Sequence, residues 1–161
     1  MRRGSVLDLL SALLRSGGFE ALSRHSGLER TAVNDVAGVL VPELFDAMRM
    51  FVRRRGGGDA GVAALLGEFD RLGDGSLAEA MMAHDPVIPD AGRALLGMLY
   101  TDRAGLDVTI GRVAFESGQD RQMVERLAPY AVMLLAGYLS ARTIGTDHGP
   151  FHDALAGRNA G

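Results

Sequence analysis

The stretch DRQMVERLAPYAVMLLAGYLSAR, residues 120–142, decides the fold of this chain. Its middle, residues 127–139, holds thirteen residues without a charged or strongly polar side chain. A helix that is apolar on every face has to be buried on every face. A membrane-spanning helix needs about 20 apolar residues, and Arg126 and Arg142 bracket this shorter run, so we expect no membrane span. The stretch therefore predicts the central helix of a soluble, helical domain.

The composition excludes several functional classes. The chain has 161 residues, 47% of them hydrophobic, a net charge of −3 and no cysteine. This length fits one domain, or two small halves that share a core. Without cysteine there is no disulfide, no thiolate metal site and no cysteine nucleophile, which fits a reducing compartment. The acidic balance provides no general attraction to nucleic acid or to anionic membranes.

The N-terminal segment lacks the pattern of a secretion signal. Arg2 and Arg3 precede an apolar stretch, but Asp8 interrupts it. No small-residue cleavage site follows, so we expect no signal peptide. Together with the missing cysteines, this pattern predicts a cytoplasmic protein.

Apolar residues recur at helical spacing along the whole chain, and no segment shows the alternation that is typical of a strand. The longest helix is predicted from about residue 29 to 54, and Pro42 inside it should kink or split the helix near Val41. Ser5 is the predicted N-cap of the first helix. The other helices are predicted at about residues 19–25, 59–72, 77–83, 90–99, 106–117 and 120–142. In the helix at 106–117 the apolar positions are Val108, Ile110, Val113, Ala114 and Phe115.

Two parts of the chain resemble each other. The sequence SGLER at residues 26–30 recurs as SGQDR at residues 117–121, which is a shift of 91 positions. At the same shift, the apolar faces of the two long helices that follow stay in register. The first helix of each copy, at residues 9–14 and 95–100, matches at a shift of 86, so the second copy carries about five extra residues near positions 101–105. This pattern favours an internal duplication.

The expected fold is all-α, with one domain at residues 1–142 and a flexible tail at residues 143–161. Two pseudo-repeats of three helices, at about 5–55 and 90–142, share one core and are linked by helices at about 59–83. The glycine-rich, polar end of the chain is typical of a frayed terminus with at most one turn of helix.

The pattern of these repeats resembles the YidB-like family, a bacterial domain of unknown function. In the first half the resemblance rests on LLSALLRSGG at 9–18, SGL at 26–28 and LVPEL at 40–44. In the second half it rests on DAGRALLG at 90–97, SG at 117–118 and the proline-containing apolar helix through LAP at 127–129, which fits the long form of the family. The resemblance implies an all-helical fold with homeodomain-like three-helix units. It implies no established activity, and no catalytic residue can be carried over because the family has none assigned.

This chain differs from the family pattern in two respects. It lacks the family's usual glutamine-rich turns, and it has an Arg-Gly cluster at residues 53–58. Cations suit the C-terminal end of a helix and glycine suits the cap beyond it, which accounts for the cluster without a ligand. The segment RGGGD at 55–59 lacks the Lys-Ser/Thr pair of a phosphate-binding loop and follows a helix instead of a strand.

The alternative is that Arg53, Arg54 and Arg55 contact an anion or a nucleic acid. Homeodomain-like units are a common scaffold for DNA binding, and a local basic patch suffices even in an acidic chain. Three further residues would belong to such a surface: Arg24, Arg30 and Arg49.

The histidines suggest no reaction. His148 and His152 have metal-ligand spacing, but Gly149 and Pro150 separate them, so a polar tail is the better interpretation. His84 beside Asp85 has no partner serine in a strained turn. His25 precedes the turn at 26–27, where a cation suits a helix end. The methionines favour core packing over an adaptable groove: Met81, Met82, Met98, Met123 and Met133.

Because none of these residues indicates a reaction or a bound ligand, we predict no enzyme, no cofactor and no metal site. Apolar content is high and the helices are long, and unused apolar faces mark interfaces. The predicted function is therefore a non-enzymatic protein-interaction or self-assembly module, whose partner is another protein or a second copy. The alternative is a nucleic-acid-binding protein with helix-turn-helix-like units. A continuous arginine stripe would favour nucleic acid, and an apolar stripe would favour protein.

Overall fold

The computed structural model describes residues 2–73, 81, 89–143 and 154–157. These residues form helices and turns without a strand, which confirms the all-α prediction. In chain order the helices are α1 (Arg2–Arg15), α2 (Gly18–Ser26), α3 (Arg30–Arg54), α4 (Gly58–Gly73), α5 (Asp90–Leu99), α6 (Arg103–Ser117) and α7 (Arg121–Thr143). Met81 is the one described position of the helix predicted at 77–83, and the rest of that helix lies outside the described residues.

Two helices begin earlier than the sequence pattern predicts. Helix α1 begins at Arg2, so Ser5 lies inside the helix and is not its N-cap. Helix α6 begins at Arg103 because Asp102 caps it, with a side-chain oxygen that accepts a hydrogen bond from the Ala104 amide at 3.0 Å. Of the extra residues near positions 101–105, residues 103–105 therefore lengthen helix α6, and residues 101–102 lie in the connection before it.

Helix α7 is buried as predicted. Leu127, Val132, Leu135 and Leu139 are all 0% exposed. The helix packs against α2, α3, α4, α5 and α6, so neighbours cover it on every side. An apolar stretch without a polar face is stable in water only in such a position.

Helix α3 is a second centre that the sequence did not single out. It packs against all six of the other helices named above. It also runs without a break through Pro42, so of the predicted kink or split near Val41 the split does not occur. Proline leaves the carbonyl of the fourth preceding residue without a donor. Here that residue is the exposed Gly38, where water can replace the lost donor, and tertiary packing holds the rest of the helix.

The second half of the chain packs on the first in a reciprocal pattern. Helix α2 packs on α3, and α6 packs on α7. Across the halves, α2 packs on α7 and α6 packs on α3. Each middle helix therefore contacts the long helix of both halves.

The two Ser-Gly turns have the same backbone geometry. Gly27 ends α2 with φ 77° and Gly118 ends α6 with φ 72°. Each amide donates to the carbonyl four residues earlier, at Ser23 and Ala114. This left-handed conformation is the reason that glycine stands at both positions.

Part of the predicted flexible tail is packed. Helix α7 extends to Thr143, and Ala154, Leu155 and Ala156 are buried in a single helical turn. Residues 154–157 therefore correct the tail prediction for that segment. The remaining tail positions, with His148 and His152, lie outside the described residues.

Candidate interaction surface and arginine cluster

Helix α6 has an apolar face that no described part of the chain covers. Phe115 is 87% exposed and Val108 is 62% exposed. They are seven residues apart, which is about two helical turns, so they lie on one face. The opposite face contributes Ile110 and Val113 to the core. Two of the five apolar positions predicted for this helix thus face outward, and we call Val108 and Phe115 the α6 face.

The exposure of Phe115 is the informative part of this surface. Single exposed aliphatic residues are normal, but a large aromatic ring in water is uncommon in a monomer. Leu14 on α1 and Met50 on α3 are each 49% exposed and belong to other helices. On α6 itself, Arg112 borders the α6 face and pairs with Glu43 of α3 at 3.4 Å. The α6 face therefore combines an apolar centre with a charged edge, as protein interfaces do.

The arginine cluster at the end of α3 makes contacts within the fold. The Arg54 guanidinium donates to the Leu99 carbonyl, at the end of α5, at 3.4 Å. That carbonyl belongs to the last turn of a helix and lacks an intrahelical donor. The Arg55 guanidinium lies 4.7 Å from the centre of the Phe51 ring, in cation–π geometry. Arg53 is exposed, with its Nη1 atom 4.0 Å from a methionine sulfur.

The glycines after the cluster complete the helix end. The Gly57 amide donates to the Val52 carbonyl at 2.8 Å, and Gly56 and Gly57 have φ values of 98° and 70°. A left-handed turn of this kind satisfies carbonyls that the helix leaves open. Helix capping therefore accounts for the glycines, and internal contacts account for Arg54 and Arg55.

Two of the other arginines of the predicted nucleic-acid surface, Arg24 and Arg30, do not join this cluster. Arg24 lies in the last turn of α2 and Arg30 begins α3. Helix α3 has 25 residues, so its two ends are separated by about 35 Å at 1.5 Å per residue. Between them, exposed Asp35 and Asp46 interrupt the positive charge. The six arginines of the predicted surface thus form two separate groups and no continuous stripe along α3.

Arg49 lies close to the cluster. Its Nη1 atom contacts Asp46 at 3.4 Å, but its Nε is buried and has no partner among the described residues. Arg49, Arg53 and Gly57 line a cavity of about 60 Å³ together with residues 155–157. A buried donor without a partner in a polar cavity is a place for an ordered water or a small anion.

His25 makes a long-range contact that the sequence did not predict. Its Nε2 atom lies 2.8 Å from the Met81 carbonyl oxygen, and its ring stacks on Tyr130 at 6.1 Å between centres. From its place in the last turn of α2 it therefore ties this helix to α7 and to a residue 56 positions away. Met81 and Met133 are buried, as core packing requires, and Met98 and Met123 are half-buried. Met82, His84 and Asp85 lie outside the described residues.

A larger cavity, of about 590 Å³, lies between α5, α6 and α7. We call it the α5–α7 cavity. Its apolar walls come from Leu96, Leu106, Ile110, Ala128 and Pro129. Its charged residues are Arg93, Arg103, Asp107 and Glu125. No sequence motif indicated this site, because its residues come from three helices that only the tertiary fold brings together.

Over the described ranges, no three side chains of the metal-ligating types are grouped where they could hold an ion. Within the same part of the chain, none of the helices has the length and apolar character needed to cross a membrane. Neither a protein-family model, nor a curated protein, nor a solved structure matches this chain. The resemblance to the YidB-like family accordingly stays a prediction.

Proposed function

We propose that this chain is a non-enzymatic helical module for protein interaction or self-assembly. The α6 face carries this proposal, and Phe115 is its central residue. Aromatic residues are enriched among the side chains that dominate interface energetics, and they pair with apolar residues of the partner. The missing cysteines support a reducing compartment, and we place the protein in the cytoplasm.

The experiment removes the α6 face without disturbing the core. Phe115→Ser combined with Val108→Ser changes two exposed side chains, so the fold should be retained. Light scattering on the purified chain measures self-association, and cross-linking with a tagged chain in its host captures a partner protein. Loss of the oligomer or of one defined partner supports the proposal.

The matched control is Leu14→Ser, which removes a half-exposed apolar residue on another helix and should keep the partner. A chain that remains monomeric over a wide concentration range, and whose captured proteins are the same with and without Phe115, would contradict the proposal.

We also propose that the two halves are pseudo-repeats of one three-helix, homeodomain-like unit, in a bacterial protein related to the YidB-like family. Support comes from the reciprocal packing of α2 on α7 and α6 on α3, and from the matching turns at Gly27 and Gly118. In an experimental structure, superposition of α1–α3 on α5–α7 should place Gly27 over Gly118. Turns that join their helices at clearly different angles would refute the duplication.

A second candidate function is anion or nucleic-acid contact at the end of α3. The observation that favours it is the buried Nε of Arg49, which has no hydrogen-bond partner in the described part of the chain and lies on a residue that lines the same cavity as Arg53. The division of the arginines between two ends of a long helix weighs against an extended nucleic-acid surface. Salt-dependent binding decides between the two functions, as set out in the Discussion.

A further inference from the structure

The α5–α7 cavity has the size and lining of a small-molecule site. Its volume of about 590 Å³ falls within the ~300–1,000 Å³ of typical ligand pockets. Apolar walls with a few convergent polar groups are the usual composition of such pockets. The cavity lies on a different side of α6 from the α6 face, since Leu106 and Ile110 point to it and Val108 points outward.

The apolar side of the cavity suits a hydrocarbon or aromatic body. Helix α5 contributes Leu96, α6 contributes Leu106 and Ile110, and α7 contributes Ala128 and Pro129. Ala128 is small, and Gly97 on α5 has no side chain, so the packed helices leave open space here. A ligand that fills this space would remove apolar surface from water, which is favourable at roughly 25 cal/mol per Å².

The charged side chains that line the cavity differ in whether they already have an ion-pair partner. Asp107 and Glu125 are both engaged by Arg121, at 3.3 Å each. One guanidinium nitrogen of Arg93 donates to the Asp90 carboxylate at 3.0 Å, and both side chains of this pair are largely exposed. Arg103 has no ion-pair partner within the described residues.

Both carboxylates of the lining therefore already have an arginine partner, whereas Arg103 has no ion-pair partner within the described residues. A guanidinium carries five N–H donors in a fixed plane, and it binds carboxylate and phosphate groups through paired hydrogen bonds. We propose that the α5–α7 cavity binds a small amphipathic anion, with its apolar body against α7 and its anionic head at Arg93 and Arg103. This inference is independent of the proposed interaction function.

Gly97 is a position at which a substitution can reduce the volume of the cavity. A Cβ atom built on Gly97 meets nothing within 4 Å, and Gly97 is part of the lining. Gly97→Leu therefore adds a side chain at the lining whose Cβ atom displaces no neighbour, and it replaces a glycine inside a helix with a good helix former. Gly38→Leu is the matched control, because a Cβ on Gly38 also meets nothing within 4 Å and lies on α3, away from the cavity.

The experiment titrates the full chain with octanoate and follows its amide NMR spectrum. We expect shifts at residues of α5, α6 and α7, and weaker or no binding of octanol and of octyltrimethylammonium, which carry no charge or the opposite charge. Octyl phosphate distinguishes a phosphate head from a carboxylate head. Removing one charged donor with Arg103→Gln should weaken octanoate binding about tenfold.

Gly97→Leu should abolish octanoate binding, and Gly38→Leu should leave it unchanged. Arg93→Gln and Arg103→Gln alter exposed side chains, so they test the proposal even if Gly97→Leu perturbs the fold. Tighter binding of the cationic amphiphile would assign the site to Asp107 and Glu125 and overturn the proposal. No binding of octanoate, or binding that survives both Gly97→Leu and Arg103→Gln, would overturn it as well.

Discussion

At the scale of single residues, two apolar side chains that both occupy helix positions differ in how far they are exposed to solvent. Leu135 of α7 is 0% exposed and Phe115 of α6 is 87% exposed. Truncation of a buried leucine loses its transfer free energy and leaves a cavity. Truncation of an exposed ring loses little of either, because the ring is in water in both states.

We predict that Leu135→Ala lowers the free energy of unfolding by about 2–5 kcal/mol. Phe115→Ala should change it by no more than about 0.5 kcal/mol, as surface substitutions do. Urea unfolding of both variants, with a common slope, measures the difference. Equal midpoints for the two variants would contradict the central position of α7.

The fold alters the ionisation of the Tyr100 phenol. Burial raises the pKa of Tyr100 above its ordinary value of 10.0 and outweighs the hydrogen bond with Thr109, which lowers it. Glu43 and Asp46 also raise this pKa, and Arg112 lowers it. The folded chain therefore keeps the phenol proton at a pH where the unfolded chain has lost it.

The expected consequence is a loss of stability as the pH rises above about 10, since the unfolded state then binds fewer protons than the folded state. Below that pH the phenol is protonated in both states and contributes no slope. Tyr100→Phe should flatten the decline, although it also removes the bond to Thr109. Unfolding midpoints of both chains across this pH range test the prediction, and parallel curves would count against it.

At the scale of elements, α5 and α7 cross so closely that only glycine fits at one position. A Cβ atom on Gly92 would overlap the Pro129 carbonyl oxygen. The oxygen belongs to the backbone of α7 and the backbone of α5 fixes the position of the Cβ atom, so neither can rotate away as the end of a flexible side chain could. Gly97, five residues further along α5, has open space around it.

This pair of glycines gives an internally controlled prediction. Gly92→Ala should destabilise the chain by about 1–3 kcal/mol, because the helices must separate. Gly97→Ala should stabilise it by about 0.5–1 kcal/mol, because alanine loses less backbone entropy in a helix. Thermal unfolding of both variants measures opposite shifts. Shifts of the same sign would show that α5 does not pack on α7 through Gly92.

The end of α3 separates the two functional proposals. If Arg53, Arg54 and Arg55 only complete the helix end, changing all three to Gln should cost about 0.3–1 kcal/mol per favourably placed charge. Partner binding through the α6 face should then survive. We expect this outcome, because Arg54 and Arg55 already contact Leu99 and Phe51.

Duplex DNA binding measured across a salt series provides the opposite test. If the cluster contacts phosphates, binding should weaken with a slope of about −0.9 per contact, and the triple change should flatten that slope by about two to three. Tight, arginine-dependent retention of DNA at low salt would replace the interaction module with the nucleic-acid alternative. The same triple variant thus serves both measurements.

At the scale of the whole molecule, the sequence predicted what depends on local pattern. The buried α7 follows from its lack of a polar face, and the Ser-Gly turns follow from glycine's tolerance of positive φ. Helix α3 does not split at Pro42, because it packs against the six other named helices and that packing outweighs one lost hydrogen bond.

Other features have no local signal. An apolar position on α6 looks the same in sequence whether it faces the core, as Val113 does, or water, as Phe115 does. The burial of Leu155 has no signal in the sequence because this residue lies in a glycine-rich segment. The contact of His25 with Met81 has none because it joins positions that are distant in the chain. The α5–α7 cavity depends on the relative placement of three helices, which periodicity does not encode.

The reciprocal packing of the two halves has a consequence for synthesis. Helices α2 and α3 leave the ribosome before α6 and α7, which cover part of their apolar surface in the finished protein. Until that second half emerges, the nascent chain exposes apolar residues that are prone to aggregation. The apolar surface of the first half is therefore covered only after the second half has been synthesised. A pause in translation between α4 and α5 would prolong that exposure.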